Sequence, residues 1–329
     1  MSADPVPGSY SDEAARTAAA IPASLAARMG AAHLRHRIRV QVEHAAQAFG
    51  QGTTYFHLEN LDWMLRVFRT GLRLTGTYAW GRRNARAVRL TENRVRMRRW
   101  PEALRGYRIM QISDTHLDLD ADLLPILQEM VGGIACDLCV LTGDYRARTW
   151  GPIEAAAALN TELIRSVRCP VYGVLGNHDF IEMAPPLEAA GARLLLNEHV
   201  RVGCEDAAFY LAGVDDAHFY LAENFHRAAE GIPDEAASIM LSHTPATYLK
   251  AAACGFDLML SGHTHGGQVC LPGGWPILRN ARCPRALMAG AWRVGGLAGY
   301  TSRGTGSSGV PVRFFCPPEI TVHVIEPAD

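Results

Sequence analysis

The chain has 329 residues, of which 48% are hydrophobic and 20% are charged, and its formal net charge is −1. These values exclude a disordered chain and a protein embedded fully in a membrane, and they suit one large domain or two modest ones. The near-neutral total hides an uneven distribution, since residues 51–100 contain eleven arginines and only three acidic residues.

The eight cysteines are scattered through apolar stretches, unlike the dense spacing of a disulfide framework. Cys136 and Cys139 have CxxC spacing, but no second pair completes a zinc site, so we expect them to pack in the core. The first thirty residues lack the apolar stretch of a signal peptide, and no uncharged run reaches the length of a membrane span. We therefore expect a cytoplasmic protein, either free or peripheral on the cytoplasmic face of the inner membrane.

Residues 1–50 form an Ala-rich segment that is predicted to be helical or partly disordered. Its start is expected to be irregular, because Pro5, Pro7, Gly8 and Ser9 occur close together. A helix is predicted over residues 21–48.

Residues 51–104 form a second segment, which is predicted to be helical, amphipathic and basic. Its apolar residues recur at the i, i+3, i+4 and i+7 spacing of one helical face. The stripe contains Leu61, Met64, Leu65, Phe68 and Leu72, is widened by Trp63 and Val67, and is flanked by Arg66, Arg69 and Arg73. Two interpretations are open: the helix lies on a membrane surface that carries anionic lipids, or it docks on its own catalytic domain with its arginines in solvent.

Residues 105–329 form the candidate catalytic domain. Short apolar runs bounded by turn residues are typical of buried strands. Five such runs end at polar groups and cover residues 107–113, 138–142, 171–175, 239–242 and 258–260. Helix-like stretches at 121–132 and 153–167 lie between them, so we predict an α/β domain whose ligand binds at the carboxyl edge of the strands.

The polar groups at these strand ends could hold metal ions. They are carboxylates, imidazoles and one amide, without a thiolate, and this set suits Mn²⁺, Fe or Zn²⁺ better than a soft metal. They are too many for one tetrahedral ion and about enough for two ions, roughly 3.5–4 Å apart, that share a carboxylate. The set is Asp114, His116, Asp144, Asn177, His178, Asp179, His243, His263 and His265.

In this order, the strand-end residues resemble the signature of the calcineurin-like metallophosphoesterases. The five blocks are Asp-x-His at 114–116, Gly-Asp at 143–144, Gly-Asn-His-Asp at 176–179, a lone His243 and Gly-His-x-His at 262–265. All five are present without substitution, and the resemblance covers residues 105–327. Stretches at 111–114, 262–268, 302–304 and 316–320 are further similar to the YaeI/YkuE-type subgroup, which is often membrane-associated and has relatives of UDP-2,3-diacylglucosamine hydrolase in and near it.

The resemblance implies a four-layer α/β sandwich of two mixed β-sheets flanked by helices, preceded here by an N-terminal helical extension. It also implies two ions, with a bridging hydroxide that attacks phosphorus. The implied ligands are Asp114, His116 and His265 for one ion, Asn177, His243 and His263 for the other, and Asp144 as the bridge between them.

The resemblance also implies roles for two residues beside the ions. His178 would stabilise the charge of the transition state or protonate the leaving oxygen, and Asp179 would orient His178. From its position alone, Asp179 could instead be a helix N-cap. Asp215 and Asp216 follow a strand-like run and are predicted to form a turn, although a loop could bring them to the site.

The remaining polar features carry no clear pattern. His199, His218 and His226 are predicted to be surface or core residues. The glycine-rich stretch 304–309 lacks the Gly-Lys-Ser/Thr ending of a phosphate loop, and it either lines the substrate entrance or forms a flexible turn.

These features predict a dinuclear metal-dependent phosphoesterase that hydrolyses a phosphodiester or pyrophosphate bond. The apolar and basic stretch 61–89 favours a lipid-linked substrate such as UDP-2,3-diacylglucosamine, and the alternative is a soluble phosphodiester such as a nucleotide. A non-catalytic module that binds a membrane or another polyanion is the third interpretation. The aromatic and apolar stripe favours lipid over nucleic acid as the partner.

Overall fold

The computed structural model of the chain describes residues 7–44, 61–204, 207–277 and 281–328. Its α-helices are α1 (Pro7–Ala20), α2 (Ala23–Met29), α3 (Ala31–His44), α4 (Asp62–Leu74), α5 (Tyr78–Arg86), α6 (Leu123–Gly133), α7 (Glu154–Ser166), α8 (Ala184–Ala189), α9 (Phe225–Ala229) and α10 (Tyr248–Ala253). Its strands are β1 (Arg89–Met97), β2 (Tyr107–Ile112), β3 (Leu138–Leu141), β4 (Val171–Gly173), β5 (Ala192–Leu194), β6 (Glu198–Gly203), β7 (Ala208–Gly213), β8 (Ser238–Leu241), β9 (Leu258–Ser261), β10 (Cys270–Leu271), β11 (Trp275–Pro276), β12 (Gly290–Val294), β13 (Leu297–Thr301) and β14 (Glu319–Pro327).

Two six-stranded mixed sheets form the centre of the molecule. Their strand orders are β1-β14-β2-β3-β4-β5 and β12-β13-β9-β8-β7-β6. Strands β2 to β5 run parallel to one another, as do β7, β8, β9 and β13. Every residue of β3, β8 and β9 is buried, which fits short apolar runs covered on both faces.

The apolar core lies in three layers. Between the sheets, Ile109, Val140, Phe209 and Leu260 are fully buried. Helices α1 to α3 and α6 to α8 contribute to a cluster on the outer face of the first sheet, and α9 and α10 to a cluster on the second. The order helix, sheet, sheet, helix confirms the predicted four-layer sandwich of two mixed sheets with an N-terminal helical region.

The five predicted strands are β2, β3, β4, β8 and β9, and each ends two to four residues before the polar residue that the sequence indicated. The predicted helical stretches at 121–132 and 153–167 are α6 and α7. Among the described residues, no helix combines the length and the apolarity needed to cross a membrane.

The N-terminal segment differs from its prediction. The helix predicted over 21–48 begins at Ala23, just after Pro22, and is interrupted at Gly30, which has a φ of 81°, so that α2 and α3 are separate helices. The start predicted to be irregular is helical from Pro7 onward. Residues 1–6 and 45–48 lie outside the described part, so the prediction stays open there.

The segment predicted to be helical over 51–104 is helical only in α4 and α5, and residues 51–60 lie outside the described part. Residues 89–97 are strand β1, which pairs in parallel with β14. Val95 and Met97 point into the core between the sheets while Arg94 and Arg96 are exposed, so this end of the segment has the two-residue period of a strand. The predicted domain boundary at residue 104 thus falls between two strands of one sheet.

Candidate metal centre

The nine predicted site residues meet at one edge of the two sheets. Strands β2, β3 and β4 of the first sheet and β8 and β9 of the second all end there, because the carboxyl ends of parallel strands share an edge. None of the nine residues is more than 4% exposed. Polar groups buried to this extent need hydrogen-bond or metal partners, so the cluster is a specific binding site and not a chance grouping of surface residues.

Five of these residues have left-handed backbone conformations. They have φ values from 40° to 70° and are Asp114, His116, Asp144, His263 and His265. This region is strained for residues with a side chain, and it persists only where the surrounding structure imposes it. Here it turns five side chains back toward one point as the chain leaves the strands.

Two glycines let the backbone approach the carboxylates. A Cβ at Gly176 would lie 2.2 Å from Asp144 Oδ1, and a Cβ at Gly262 would lie 2.3 Å from Asp114 Oδ2. Both distances are far below van der Waals contact, so a side chain at either position would displace a carboxylate. Steric exclusion of a side chain therefore explains why glycine occupies the first position of the Gly-Asn-His-Asp and Gly-His-x-His blocks.

The first group of possible ligands is Asp114, His116 and His265, whose nearest ligand atoms lie within 4.8 Å of one another. His265 Nε2 is 3.4 Å from Asp114 Oδ1 and 3.2 Å from His116 Nε2. This is the set that the resemblance implies for one ion.

The second group is Asp144, His243 and His263. His243 Nε2 is 3.2 Å from Asp144 Oδ2 and 3.0 Å from Asn177 Oδ1, which brings the amide oxygen into the same group. His263 and His265 thus fall in different groups although they are two residues apart. Asp144 also forms a group with His116 and His178, so it lies between the two sets, as a bridging carboxylate must.

Backbone carbonyls fix the orientation of two imidazoles. His243 Nδ1 is 2.7 Å from the carbonyl oxygen of Thr142, and His116 Nδ1 contacts the carbonyl oxygen of Arg146. An Nδ1–H that donates to a carbonyl leaves the Nε2 lone pair for a cation. The donor set of oxygens and imidazole nitrogens therefore fits two borderline or hard divalent ions, and the assignment of each residue to an ion stays a prediction.

The charges of the site are strongly coupled. Although burial opposes ionisation, His243 and His178 hold the pKa of Asp144 well below its ordinary value. Burial, together with the nearby charge of Asp144, raises the pKa of Asp114 in spite of His243. Two buried carboxylates in one cluster repel each other, and a divalent cation would neutralise this repulsion.

The Asp179 carboxylate is bonded to the backbone of two loops. Its carboxylate accepts hydrogen bonds from the backbone N–H groups of Gly176, Asp144 and Tyr145, each 2.8 Å, and of Arg146, 3.3 Å. The carboxylate therefore holds the loop after β3, so Asp179 positions Asp144, and four N–H groups stabilise its charge. The role that the resemblance implies for Asp179, to orient His178, stays a prediction.

His178 lies beside the candidate ligands, as expected. Its Nε2 is 3.8 Å from Asp144 Oδ2, and its backbone N–H donates to Asp144 Oδ1 at 3.0 Å. The residue is 4% exposed and is therefore not a surface loop residue.

The sequence did not point to His218, which lies at the edge of the site. The residue is 3% exposed, and its ring is centred 4.1 Å from the ring of His263. Asp216 accepts the backbone N–H groups of His218, Phe219 and Tyr220, which fits the predicted turn, and the same loop brings His218 to the site. The available signal was its place just beyond the end of β7, a strand that pairs with β8 in the second sheet.

The glycine-rich stretch 304–309 lines the site. The N–H groups of Thr305 and Gly306 donate to the carbonyl oxygens of Ser113 and Asp114 at 2.9 and 2.8 Å. This favours the first of its two interpretations. His199, which contacts a backbone carbonyl, and His226, which is exposed, lie outside the ligand groups described above.

The CxxC pair behaves as a structural feature. Cys139 is fully buried in the core and Cys136 packs against the same cluster, as predicted. The Cys136 sulfur lies 2.8 Å from that of Cys169.

Comparisons with known proteins agree with the site. Residues 107–267 match the family model described as calcineurin-like phosphoesterase. The chain is 26% identical to the uncharacterized metallophosphoesterase YkoQ of Bacillus subtilis (strain 168), covering 74% of this chain and 92% of YkoQ. It is 29% identical to the uncharacterized metallophosphoesterase YkuE of the same organism, covering 73% of this chain and 86% of YkuE. A solved structure, TT1561 of Thermus thermophilus, is 14% identical with a TM-score of 0.39, covering 61% of this chain and 90% of TT1561.

The matched residues include every candidate ligand, from Asp114 to His265. The same five blocks carry the sequence resemblance and form the three ligand groups. Proteins of this family are phosphoester hydrolases that use divalent metals. Residues 107–267 therefore form a calcineurin-like phosphoesterase domain, and YkuE-type proteins are among the relatives of the chain.

Proposed function

We propose that this chain hydrolyses a phosphodiester or pyrophosphate bond with two divalent cations, of which Mn²⁺ is the first choice and Fe or Zn²⁺ are the others. The observation that carries the proposal is the position of Asp144, which belongs to two overlapping ligand groups. When bound, two such ions would stabilise the attacking and leaving oxygens of a phosphoryl displacement and lower the pKa of a water.

The residues of the chain would bind and orient the reactants. Asp114 and the imidazoles would hold the cations, and the loops after the strands would keep the site dry. His178, close to Asp144, has a ring that can donate a proton to the leaving oxygen or stabilise its charge. Asp179 would keep Asp144 in place through the backbone.

Hydrolysis of bis(p-nitrophenyl) phosphate by Mn²⁺-loaded protein tests this proposal, with p-nitrophenyl phosphate as the monoester comparison. Asp144→Ala should lower kcat by about 10²–10³-fold or more, since it removes the central charge. Asp257→Asn is the matched control, because Asp257 pairs with Arg99 just before β9, at the opposite end of that strand from His263. Undiminished activity in Asp144→Ala would refute the assignment.

For the substrate we propose a lipid-linked phosphate compound, such as UDP-2,3-diacylglucosamine, bound at an anionic membrane surface on the cytoplasmic side. The supporting observation is where exposed apolar side chains gather. Among the described residues, twelve large hydrophobic side chains are exposed. Nine of them belong to helices α4 and α5, to the β10–β11 hairpin with the residue that follows it, and to the loop at residue 315. They are Trp63, Val67, Phe68, Leu74, Trp80, Leu271, Trp275, Ile277 and Phe315.

These elements adjoin one another and the site. The Trp80 ring is centred 5.7 Å from that of Phe315, and a Cβ at Gly274 in the hairpin would lie 3.8 Å from the Phe315 carbonyl oxygen. Arg313, in the same loop, donates to the carbonyl oxygen of His265 at 3.4 Å. The apolar surface therefore borders the metal centre.

The charge of this surface suits an anionic partner. Residues 63–91 and 258–318 contain no Asp or Glu, whereas both stretches contain several arginines. Apolar side chains surrounded by arginines favour the boundary between head groups and acyl chains over a nucleic acid.

Sedimentation with anionic and with zwitterionic phospholipid vesicles tests the lipid proposal. The double variant Trp63→Ser, Val67→Ser should bind anionic vesicles more weakly and hydrolyse lipid-linked substrate more slowly, with unchanged turnover of bis(p-nitrophenyl) phosphate. Leu249→Ser is the matched control, since Leu249 is 61% exposed on α10. Unchanged vesicle binding and lipid turnover would favour the soluble phosphodiesters, and vesicle binding without any hydrolysis would indicate a binding module.

A further inference from the structure

Helix α3 reaches the loop that carries Asn177 and His178. We propose that Arg37 and Gln41 of this helix are positioning residues that hold the loop in its working geometry. The inference rests on the proposed function only for its kinetic consequence. Both residues lie outside the stretch 107–267 that matches the family model.

Arg37 is fully buried and bonds to two different loops. Its Nη2 donates to the carbonyl oxygen of Asp179 at 2.6 Å, and its Nε donates to Asp215 Oδ1 at 3.3 Å. The guanidinium lies 3.6 Å from the centre of the Tyr220 ring. Arg37 thus connects the loop after β4 to the loop after β7.

Gln41 lies one helical turn further along and holds the same loop two residues later. Its Oε1 accepts the backbone N–H of Ile181 at 2.8 Å and Arg37 Nη1 at 3.0 Å. Its Nε2 donates to Glu182 Oε2 at 2.7 Å. The helix therefore holds the loop on both sides of residue 180, just beyond His178.

These bonds satisfy backbone groups that have no strand or helix partner at this point. Loss of one would leave a buried carbonyl oxygen or N–H unpaired, and the loop would shift to regain a partner. Asn177 and His178 would move with it, because they are only one or two residues from Asp179. A displacement of about 1 Å at a reacting group can cost about 10²-fold in rate.

Arg28 provides a matched control within the same N-terminal helices. On α2 it donates to Glu188, Glu198 and the carbonyl oxygen of Leu194, so it also fastens the extension to the domain. Its partners include none of the candidate ligands or their loops. Arg28→Gln should therefore weaken attachment without changing the geometry of the site.

The experiment compares Arg37→Gln, Gln41→Leu and Arg28→Gln in the full chain, below the unfolding temperature of each. With Mn²⁺ and bis(p-nitrophenyl) phosphate, the first two should lose about 10-fold or more in kcat with KM within about threefold, and Arg28→Gln should keep its kcat. Arg37→Lys retains the charge and one donor, so part of the kcat should return.

Hydrogen exchange of residues 179–182, followed by mass spectrometry, provides a readout that needs neither metal nor activity. Exchange should accelerate about 10-fold or more in Arg37→Gln and Gln41→Leu and not in Arg28→Gln. Unchanged exchange, or equal losses of kcat in all three variants, would overturn the inference. If the wild type hydrolyses no phosphodiester, the proposed function fails, and the exchange measurement still decides whether α3 holds the loop.

Discussion

The two helical segments that precede the sheets are attached to the domain in different ways. Helices α1 to α3 combine apolar packing, for example of Leu25, with buried polar bonds such as those of Arg37. Helices α4 and α5 pack apolar side chains, among them Leu65 and Leu72, against Val310 and its neighbours, and their ion pairs are partly exposed. Their outer side leaves several large apolar groups in solvent.

The two kinds of attachment serve different purposes: one fixes the position of the site loops, and the other leaves a surface free for a partner. A buried charge needs all its partners, so its bonds define the position of the loops to which it is attached. Apolar packing tolerates small adjustments, and a segment held in this way can offer its other face to a partner. The first segment is therefore suited to shaping the site, and the second to presenting a surface beside it.

The largest expected difference between the two segments comes from removing one carboxylate that pairs with an arginine of each segment. Asp215→Asn leaves Arg37 buried without its ion-pair partner and should lower the free energy of unfolding by about 3–5 kcal/mol. Asp120→Asn should cost only about 0–1 kcal/mol, since Arg86 keeps Asp122 and the pair is partly in solvent. Urea unfolding of both variants measures the two values, and similar losses would contradict the contrast.

The next largest difference is expected when one leucine of each helical segment is truncated to alanine. Leu25 of α2 is fully buried, so Leu25→Ala should lower the free energy of unfolding by about 2–5 kcal/mol. Leu74 at the end of α4 is 85% exposed, and Leu74→Ala should stay within about 0.5 kcal/mol. Calorimetry or chemical unfolding provides the check, and a small effect at Leu25 would mean that α2 is not part of the core.

Two glycines, one in α5 and one in α4, test how tightly these helices pack on the domain. A Cβ at Gly81 in α5 would lie 2.6 Å from Phe314 Cζ and 2.9 Å from Val312 Cβ, so Gly81→Ala should destabilise by about 1–3 kcal/mol. The Gly81 carbonyl oxygen accepts the N–H of Arg313, so the loop beside the site should also shift. Gly71→Ala in α4 meets no atom within 4 Å and should stabilise by up to about 1 kcal/mol. Thermal unfolding of the two variants shows whether their changes in stability have opposite signs, as expected, or the same sign.

The sequence predicted the sheets and the ligands because both are local patterns. Short apolar runs followed by Asp, Asn or His specify buried strands with polar ends, and parallel strands bring these ends together. Residues 89–97 differ from the prediction because the helical spacing of residues 61–72 was extended over them, although Val95 and Met97 alternate with arginines as in a strand. A free edge of β14 determines that strand, and no local pattern reveals such an edge.

The missing features all depend on contacts between distant parts of the chain. The bond from Arg37 to Asp179 joins residues 142 positions apart. The left-handed conformations of Asp114 and Asp144 arise where two loops are forced toward one point. The bonds of the Asp179 carboxylate to the N–H groups of Asp144 and Tyr145 join residues that are 35 and 34 positions apart. Such geometry follows from packing and not from residue spacing.

The smallest expected effect concerns pH. Although burial alone would raise the pKa of Asp215, Arg37 and His33 hold it below its ordinary value. A carboxyl group whose folded pKa is depressed adds stability above its unfolded pKa, about 4, and loses that contribution as the pH falls through the folded pKa. The gap in unfolding free energy between wild type and Asp215→Asn should therefore be constant above about pH 5 and shrink below about pH 4. Urea midpoints of metal-free protein between about pH 3 and pH 6 measure this gap. A gap that stayed constant down to the lowest pH would mean that the Asp215 charge does not hold α3 in place, and the polar attachment would then depend on the bonds of Gln41 to Ile181 and Glu182.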